Sequence, residues 1–123
     1  MAVSWGDWTL DQPNLSGSFN IRNMSSGGFN VQLTGYEILI QYRESGPGKN
    51  QWIDVAVNGC TFDPATPYIL VDTLTVNFDN CQLAELIPAG STVRVTAVVG
   101  IYGHKNQKGP KTFFLSRLSK QIP

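Results

Sequence analysis

Residues 36–43 read Tyr36-Glu37-Ile38-Leu39-Ile40-Gln41-Tyr42-Arg43, and this stretch decides the fold class. Side chains of a β-strand point alternately to its two faces, so a half-buried strand has an apolar residue at every second position. The pattern predicts a strand whose outer face carries Glu37, Gln41 and Arg43. Its inner face is then formed by the alternate residues Tyr36, Ile38, Ile40 and Tyr42.

A second strand is predicted at residues 52–57, Trp52-Ile53-Asp54-Val55-Ala56-Val57. The connection between the two strands reads Ser45-Gly46-Pro47-Gly48-Lys49-Asn50. Phosphate-binding loops also combine glycines with a lysine, but they need four residues between the glycines and a helix afterwards. Here one residue separates the glycines and a strand follows. The connection is therefore predicted to be the turn of a hairpin.

The same alternation recurs along the chain, and no segment has the apolar stripe of a helix. Further strands are predicted at residues 8–10, 18–22, 29–33, 70–78, 92–101 and 111–118. About seven short strands with turn residues between them are typical of a two-sheet antiparallel sandwich. We therefore expect one all-β sandwich domain over residues 1–123. The residues predicted to lie in or near the core are Ile38, Ile40, Trp52, Val55, Val93, Val95 and Ala97, and Val99 is predicted to share the inner row of its strand.

Composition excludes several classes of protein. Of the 123 residues 41% are hydrophobic, and nine basic residues balance nine acidic ones. The chain can bury a core, and it has no general attraction to nucleic acid or to anionic membranes. Apolar runs such as Ala97-Val98-Val99 are far shorter than the roughly 18 residues of a membrane-spanning helix. Residues 1–7 lack the basic start and apolar run of a signal peptide, so none is predicted in this chain.

Charge is distributed unevenly along the sequence. All nine acidic residues lie at or before Glu85 together with three basic residues, so residues 1–85 carry a formal charge of −6. Residues 86–123 contain six basic residues and no acid, which gives +6. Because the last two predicted strands would pair with each other, we expect most of these basic residues on one sheet and its end loop. The opposite sheet is expected to be neutral to acidic.

The two cysteines, Cys60 and Cys81, admit two interpretations. A disulfide between them would close a loop of a size for which roughly 3 kcal/mol of stabilisation is typical. Two buried free thiols, as in a cytosolic protein, are the alternative, and the sequence leaves both open. Neither cysteine belongs to a C-x-x-C pair and His104 is the only histidine, so no metal site is predicted.

Two segments resemble the fibronectin type III family. Residues 35–46 followed by Trp52 resemble its central hairpin, in which a Tyr-rich strand and an acidic or Ser/Gly turn precede a Trp. Residues 86–98 resemble its leucine, proline and glycine turn and the strand that follows. The resemblance implies a fibronectin type III sandwich or a related immunoglobulin-like one. Such domains serve adhesion, receptor, enzyme-linker and bacteriophage virion proteins as binders and spacers, so the resemblance implies binding rather than catalysis.

No catalytic residue, enzyme activity or cofactor is predicted. Hydrolase chemistry needs a nucleophile, a base and a group that orients the base. The one histidine, His104, lies in a polar segment typical of a solvated loop. Paired carboxylates are another route to catalysis. Nothing in the sequence brings together two of the candidates Asp63, Asp72, Asp79 and Glu85.

Residues 100–111 form the candidate binding loop, which by the resemblance joins the last two strands at one end of the sandwich. End loops of such sandwiches carry recognition while the sheets supply rigidity. An aromatic ring, hydrogen-bond donors and positive charge are offered by Tyr102, His104, Lys105, Asn106, Gln107 and Lys108. A solvated loop kept soluble by its lysines is the alternative interpretation.

The leading hypothesis is a non-catalytic structural and interaction module of a larger assembly, such as a bacteriophage virion, where it would decorate the capsid or form part of the tail. Its partners would be other protein subunits or copies of itself, in a virion or an extracellular assembly. The alternative is an exported adhesion or carbohydrate-binding domain, with Trp5, Trp8 or Tyr102 stacked on a surface glycan. An accessory domain of a secreted enzyme is the third hypothesis.

Overall fold

The computed structural model describes residues 1–24, 31–65, 68–102 and 112–122. Within these ranges the chain contains ten β-strands and no helix, so the all-β prediction is confirmed. The strands are β1 (Ala2–Asp11), β2 (Asn14–Arg22), β3 (Val31–Arg43), β4 (Ile53–Val55), β5 (Val57–Asn58), β6 (Thr61–Asp63), β7 (Tyr68–Leu70), β8 (Thr73–Leu83), β9 (Thr92–Tyr102) and β10 (Thr112–Gln121). They outnumber the seven expected because β4 to β7 are segments of only two or three residues.

Two antiparallel sheets pack face to face, as predicted. The first sheet has the order β1-β2-β8, and both β5 and β6 pair with the far side of β8. The second sheet has the order β10-β9-β3, and both β4 and β7 pair with the far side of β3. The last two long strands, β9 and β10, are direct neighbours, as the sequence suggested.

Two strand boundaries differ from the prediction. Residues 29–33 and 36–43 were expected as separate strands, but β3 runs continuously from Val31 to Arg43 and absorbs the irregularity as a shift of register against β9. The strand expected at residues 70–78 is split, because the chain leaves the second sheet after Leu70 and joins the first sheet at Thr73. Alternation reports which face a residue occupies, but it does not report a change of sheet.

The core lies between the sheets and follows the predicted alternation. Ile38 and Ile40 of β3 are at most 4% exposed, and the inner row of β9 is fully buried. Phe19 of β2 is also fully buried, and its ring makes edge contacts with those of Trp5 and Tyr36. Each fully buried side chain of this size contributes about 1.5–3 kcal/mol. The predicted core members Val55, Val93, Val95, Ala97 and Val99 are all buried.

Trp52 is the exception, because its predicted place in or near the core is wrong. Its half-buried ring lies against two guanidinium groups, 4.1 Å from that of Arg94 and 5.0 Å from that of Arg43. Those arginines occupy outward positions of β9 and β3, so the indole covers the outer surface of the second sheet. An aromatic face attracts cations, which stabilises the ring there without burial between the sheets.

Side-chain hydrogen bonds join the sheets along the side where β1 lies next to β10. The indole Nε1 of Trp5 donates to the Ser116 carbonyl at 3.1 Å. The Lys120 ammonium donates to the Trp8 carbonyl at 2.8 Å and pairs with the Asp7 carboxylate at 3.2 Å. The order of these contacts means that β1 and β10 run in the same direction. This side of the sandwich is therefore closed.

A disulfide links Cys60 and Cys81, whose sulfur atoms are 2.08 Å apart. Cys81 is fully buried on β8, and Cys60 lies between β5 and β6. Of the two interpretations that the sequence left open, the bridge is the one present in the structure. It fastens the short segment between β5 and β6 to β8, the strand with which both of them pair.

Candidate interaction surface

Five large apolar side chains project from the outer surface of the second sheet. Each is between 37% and 59% exposed, and what is informative is that all five share one surface. We call this set the apolar face, and it consists of Leu39, Ile69, Tyr102, Phe113 and Leu115. Contiguous exposed apolar surface on a soluble domain marks an interaction site more often than scattered single residues do.

The strand register places these five side chains on successive levels of one surface. Residues on adjacent strands at one level are about 5 Å apart, and successive outward levels are about 7 Å apart. The apolar face covers four consecutive outward levels, each made of three paired residues on neighbouring strands. The first level is Ile69, Gln32 and Tyr102, and the second is Gly35, Gly100 and Phe113. The third is Glu37, Val98 and Leu115, and the fourth is Leu39, Thr96 and Arg117.

Beneath the apolar face, the central strand β9 is covered. Val98 and Thr96 point outward, yet they are only 7% and 6% exposed because longer side chains flank them. A Cβ atom added at Gly100 would lie 3.3 Å from the ring of Phe113, so this ring rests over the glycine. The apolar face thus has a closely packed floor and exposed rims.

A hydrogen-bonded polar cluster lies next to Leu39 on the same outer surface. The Gln41 amide donates to the Asp54 carboxylate at 2.6 Å and accepts from the Arg94 Nε at 3.0 Å. The guanidinium of Arg94 in turn lies over Trp52. These contacts hold the polar side chains in place, so one end of the apolar face has a fixed charged border.

A groove of about 770 Å³ adjoins the apolar face at the edge of β3. This volume is in the range of roughly 300–1,000 Å³ that is usual for ligand pockets. Its inner wall includes Tyr36 and Phe62, whose ring centroids are 5.4 Å apart. Its rim carries three exposed acids and one exposed base, namely Glu37, Asp54, Glu85 and Arg117.

The predicted charge asymmetry is present in the described strands. Strands of the first sheet contain four acidic residues and one basic residue, namely Asp7, Asp11, Asp63, Asp79 and Arg22. Strands of the second sheet contain two acidic and four basic residues, namely Glu37, Asp54, Arg43, Arg94, Arg117 and Lys120. The first sheet is therefore the acidic one and the second the basic one.

Of the six side chains named for the predicted binding loop, only one can be placed. Tyr102 ends β9 and belongs to the apolar face. The other predicted residues lie outside the described residues: His104, Lys105, Asn106, Gln107 and Lys108. Lys111 lies outside them as well. The loop therefore stays a prediction, and it begins where the apolar face ends.

The aromatic residues expected to stack on a glycan are mostly engaged elsewhere. Trp8 is 3% exposed and its ring lies under the Lys120 ammonium at 4.5 Å. Trp5 is half-buried against Phe19 and Phe78. The expected exposure of Trp8 is wrong, and Trp5 presents only part of its surface. Of the three candidates, only Tyr102 is exposed, at 37%.

One carboxyl group has a clearly perturbed acidity. The backbone N–H of Trp8 donates to Asp7 at 2.7 Å, and this bond together with Lys120 lowers the pKa of Asp7 below its usual 3.8. The side chain is exposed and serves the link between β1 and β10. Across the described ranges, no three His, Cys, Asp or Glu side chains are grouped so as to hold a metal ion. Those ranges also contain no helix of the length and apolarity needed to cross a membrane.

Sequence reasoning missed the apolar face, although a signal was available. The alternation that puts Ile38 and Ile40 inside puts Leu39 outside, where a polar residue is expected. Likewise, Phe113 and Leu115 flank Phe114, which is half-buried against the core. Apolar residues at positions that the alternation assigns to solvent indicate a surface that binds something.

Comparison with protein-family models, with curated proteins and with solved structures finds no match to this chain. The strand order, the apolar face and the groove are therefore the basis on which a function is inferred.

Proposed function

We propose that this chain is a non-catalytic structural and interaction module that docks onto another protein through the apolar face. The observation that carries the proposal is five large, exposed apolar side chains on adjoining levels of one sheet. Burial of such surface is favourable by about 25 cal/mol per Å², so a partner that covers it gains stability. The charges of Asp54 and Arg94, held in place by Gln41, would orient that partner, since rim charges mainly affect orientation and the rate of docking.

The strand order supports an immunoglobulin-like or fibronectin type III-like module. With the long strands lettered in chain order, and β5 and β6 taken as strand D, the first sheet has the order A-B-E-D. The second sheet has G-F-C, extended by β4. These are the orders of the immunoglobulin-type sandwich. Such folds host many functions, so the fold supports a binding role without naming the partner.

Among larger assemblies we favour a bacteriophage virion, in which the domain would decorate the capsid or form part of the tail. The resemblance of residues 35–46 and 86–98 to fibronectin type III modules supports this choice. An exported adhesion domain is the second candidate, and the Cys60–Cys81 disulfide favours it, because disulfides persist mainly in oxidising compartments. Buried Trp8 and half-buried Trp5 weaken the carbohydrate-binding form of that candidate.

Site-specific photo-crosslinking tests the docking face. A benzoyl-phenylalanine photo-crosslinker replaces Leu115 on the face, or Leu86, which is 71% exposed and lies off the face. The full chain is then irradiated in the cells or particles that naturally contain it. We expect one defined protein adduct from position 115 and none from position 86. We also expect the adduct to be reduced when Phe113→Ser is added.

The outcome is read by mass spectrometry of the adduct, which distinguishes another subunit from a second copy of this chain. Both results support docking through the apolar face. Equal adduct yields at positions 86 and 115, or an adduct at 115 that Phe113→Ser leaves unchanged, would contradict the proposal. Melting curves of each variant establish that it is folded, since exposed substitutions change stability little.

A further inference from the structure

Among the described residues, the edge of β3 is paired at its two ends and unpaired in between. β7 pairs with β3 at residues 31–33, and β4 pairs with it at residues 40–42. On the same side, no described strand pairs with β3 between Leu33 and Ile40, because the chain from β5 to β6 lies in the first sheet instead. The gap is six residues long, or about 20 Å at 3.3 Å per residue.

The edges formed by β1 and β10 are protected. On the opposite side, β1 and β10 are joined by the Trp5 and Lys120 hydrogen bonds, and β1 carries a bulge between Trp5 and Asp7. Such devices prevent unwanted strand pairing at sheet edges. At the gap in the edge of β3, the described residues form a groove, and no described strand pairs with β3 there.

The groove offers different surroundings to the two faces of an added strand. One set of alternate side chains would point between the sheets, toward Tyr36, Val57 and Phe62, which are partly buried against the core. The other set would point outward, level with Glu37 and Leu39 of β3. Because side chains of a strand alternate between its faces, a matching strand has apolar residues at every second position.

The charges around the groove favour particular side chains at the other positions of an added strand. Three of the four charged residues at the groove are acidic, namely Glu37, Asp54 and Glu85, against Arg117. The backbone N–H of Ala84 donates to the Ala56 carbonyl at 2.9 Å, which fixes the chain beside Glu85. Opposite charges on directly paired strands stabilise the pair, and like charges destabilise it.

We propose that the open edge of β3 accepts an extended strand from a partner protein, in which apolar residues alternate with basic ones. Addition of a peptide strand to a sheet edge is an established mode of recognition, in which backbone hydrogen bonds give affinity and alternate side chains give specificity. The inference rests on the proposed function in that it assumes a protein partner. It adds a second contact, adjoining the apolar face at Leu39.

A fluorescent, end-blocked octapeptide of alternating lysine and valine is titrated into the full, disulfide-bonded chain, and anisotropy reports binding. We expect saturable binding. An octapeptide of alternating glutamate and valine should bind with at least tenfold lower affinity. Two control peptides should bind with similarly reduced affinity. One has four lysines followed by four valines, and the other is the alternating peptide with every second backbone nitrogen methylated. Binding should also slow amide hydrogen exchange at residues 37–39.

Charge reversal on the protein supplies the matched comparison. Glu37→Lys should weaken the lysine and valine octapeptide at least threefold. Asp11→Lys makes the same charge change at an exposed position of the first sheet and should alter binding less than twofold. Equal effects of the two variants, or undiminished binding of the methylated peptide, would overturn the proposal, because nonspecific charge attraction would then explain the binding.

The two proposals fail separately. If position 115 forms its adduct but the octapeptide does not bind, the strand-accepting edge is wrong and docking through the apolar face stands. If the octapeptide binds as expected but position 115 forms no adduct, the edge stands and the apolar face is not the docking surface.

Discussion

Adjacent residues of β3 should differ sharply in their contribution to stability. Ile40 is 1% exposed and faces the core, where its strand neighbours are Val55 and Val95. Leu39 is 44% exposed on the outer surface. Because the two side chains have the same number of carbon atoms, truncation of each to alanine removes the same amount of apolar material from opposite faces of one strand.

The expected magnitudes follow from burial. Ile40→Ala removes three buried carbons, worth about 2.4 kcal/mol at 0.8 kcal/mol each, and the cavity left behind brings the cost to roughly 2–5 kcal/mol. For Leu39→Ala about half of the transfer contribution applies and no closed cavity forms, so we expect about 1 kcal/mol. The difference between the two variants should therefore exceed about 1 kcal/mol.

Urea denaturation followed by tryptophan fluorescence measures both free energies of unfolding, with the disulfide intact in both variants. Equal slopes against urea would establish that the comparison reflects stability alone. A slip of one residue in strand register exchanges the two faces. If Leu39→Ala proved the more costly substitution, or the two costs agreed within half a kcal/mol, the assigned register of β3 would be wrong.

Three further predictions concern the disulfide, the link between the sheets and a tight glycine. Replacing Cys60 and Cys81 with serine should lower the free energy of unfolding by roughly 3 kcal/mol in urea denaturation. The unaltered protein, unfolded without reduction, should take up no alkylating reagent. Two alkylated thiols would exclude the bridge. Because the pKa of Asp7 is lowered in the folded state, its contribution is present above the unfolded value near 3.8 and is lost as pH falls through the lower folded value. Asp7→Asn should therefore flatten the stability profile in that acidic window, and an unchanged profile would argue against the contacts of the carboxylate with the Trp8 N–H and with Lys120. Gly17→Ala places a Cβ atom in steric conflict with the Asp7 carbonyl oxygen, so melting experiments should show a loss of about 1–3 kcal/mol. An unaltered melting temperature would mean that β1 can move away.

The parts of the fold that the sequence predicted are those governed by local alternation. Ile38, Ile40 and the inner row of β9 were placed correctly because burial on one face imposes a period of two. Trp52 was misplaced because its ring lies against Arg43 of β3 and Arg94 of β9. The alternation within residues 52–57 contains no information about those two strands. The path from β4 to β7 was not predicted either, since the change of sheet depends on which strand edges are available.

The candidate site was less predictable than the fold. Tyr102 was singled out as part of a loop, yet the other members of the apolar face come from β3, β7 and β10. The groove depends on a gap in strand pairing, which is a property of the assembled sheet and of no single segment. Charge asymmetry was the one surface property read directly from the sequence, because strands adjacent along the C-terminal part of the chain are also adjacent in space.

The parallel course of β1 and β10 determines how the domain would transmit tension. Trp5 contacts Ser116 and Trp8 contacts Lys120, so the chain enters β1 at one end of the sandwich and leaves β10 at the other. A pull applied across the domain would act along the strands and load the β1–β2 and β9–β10 hydrogen bonds together in shear, rather than opening them one at a time. Since forced unfolding is governed by the unfolding rate, this geometry suits a module that must hold its place under mechanical load.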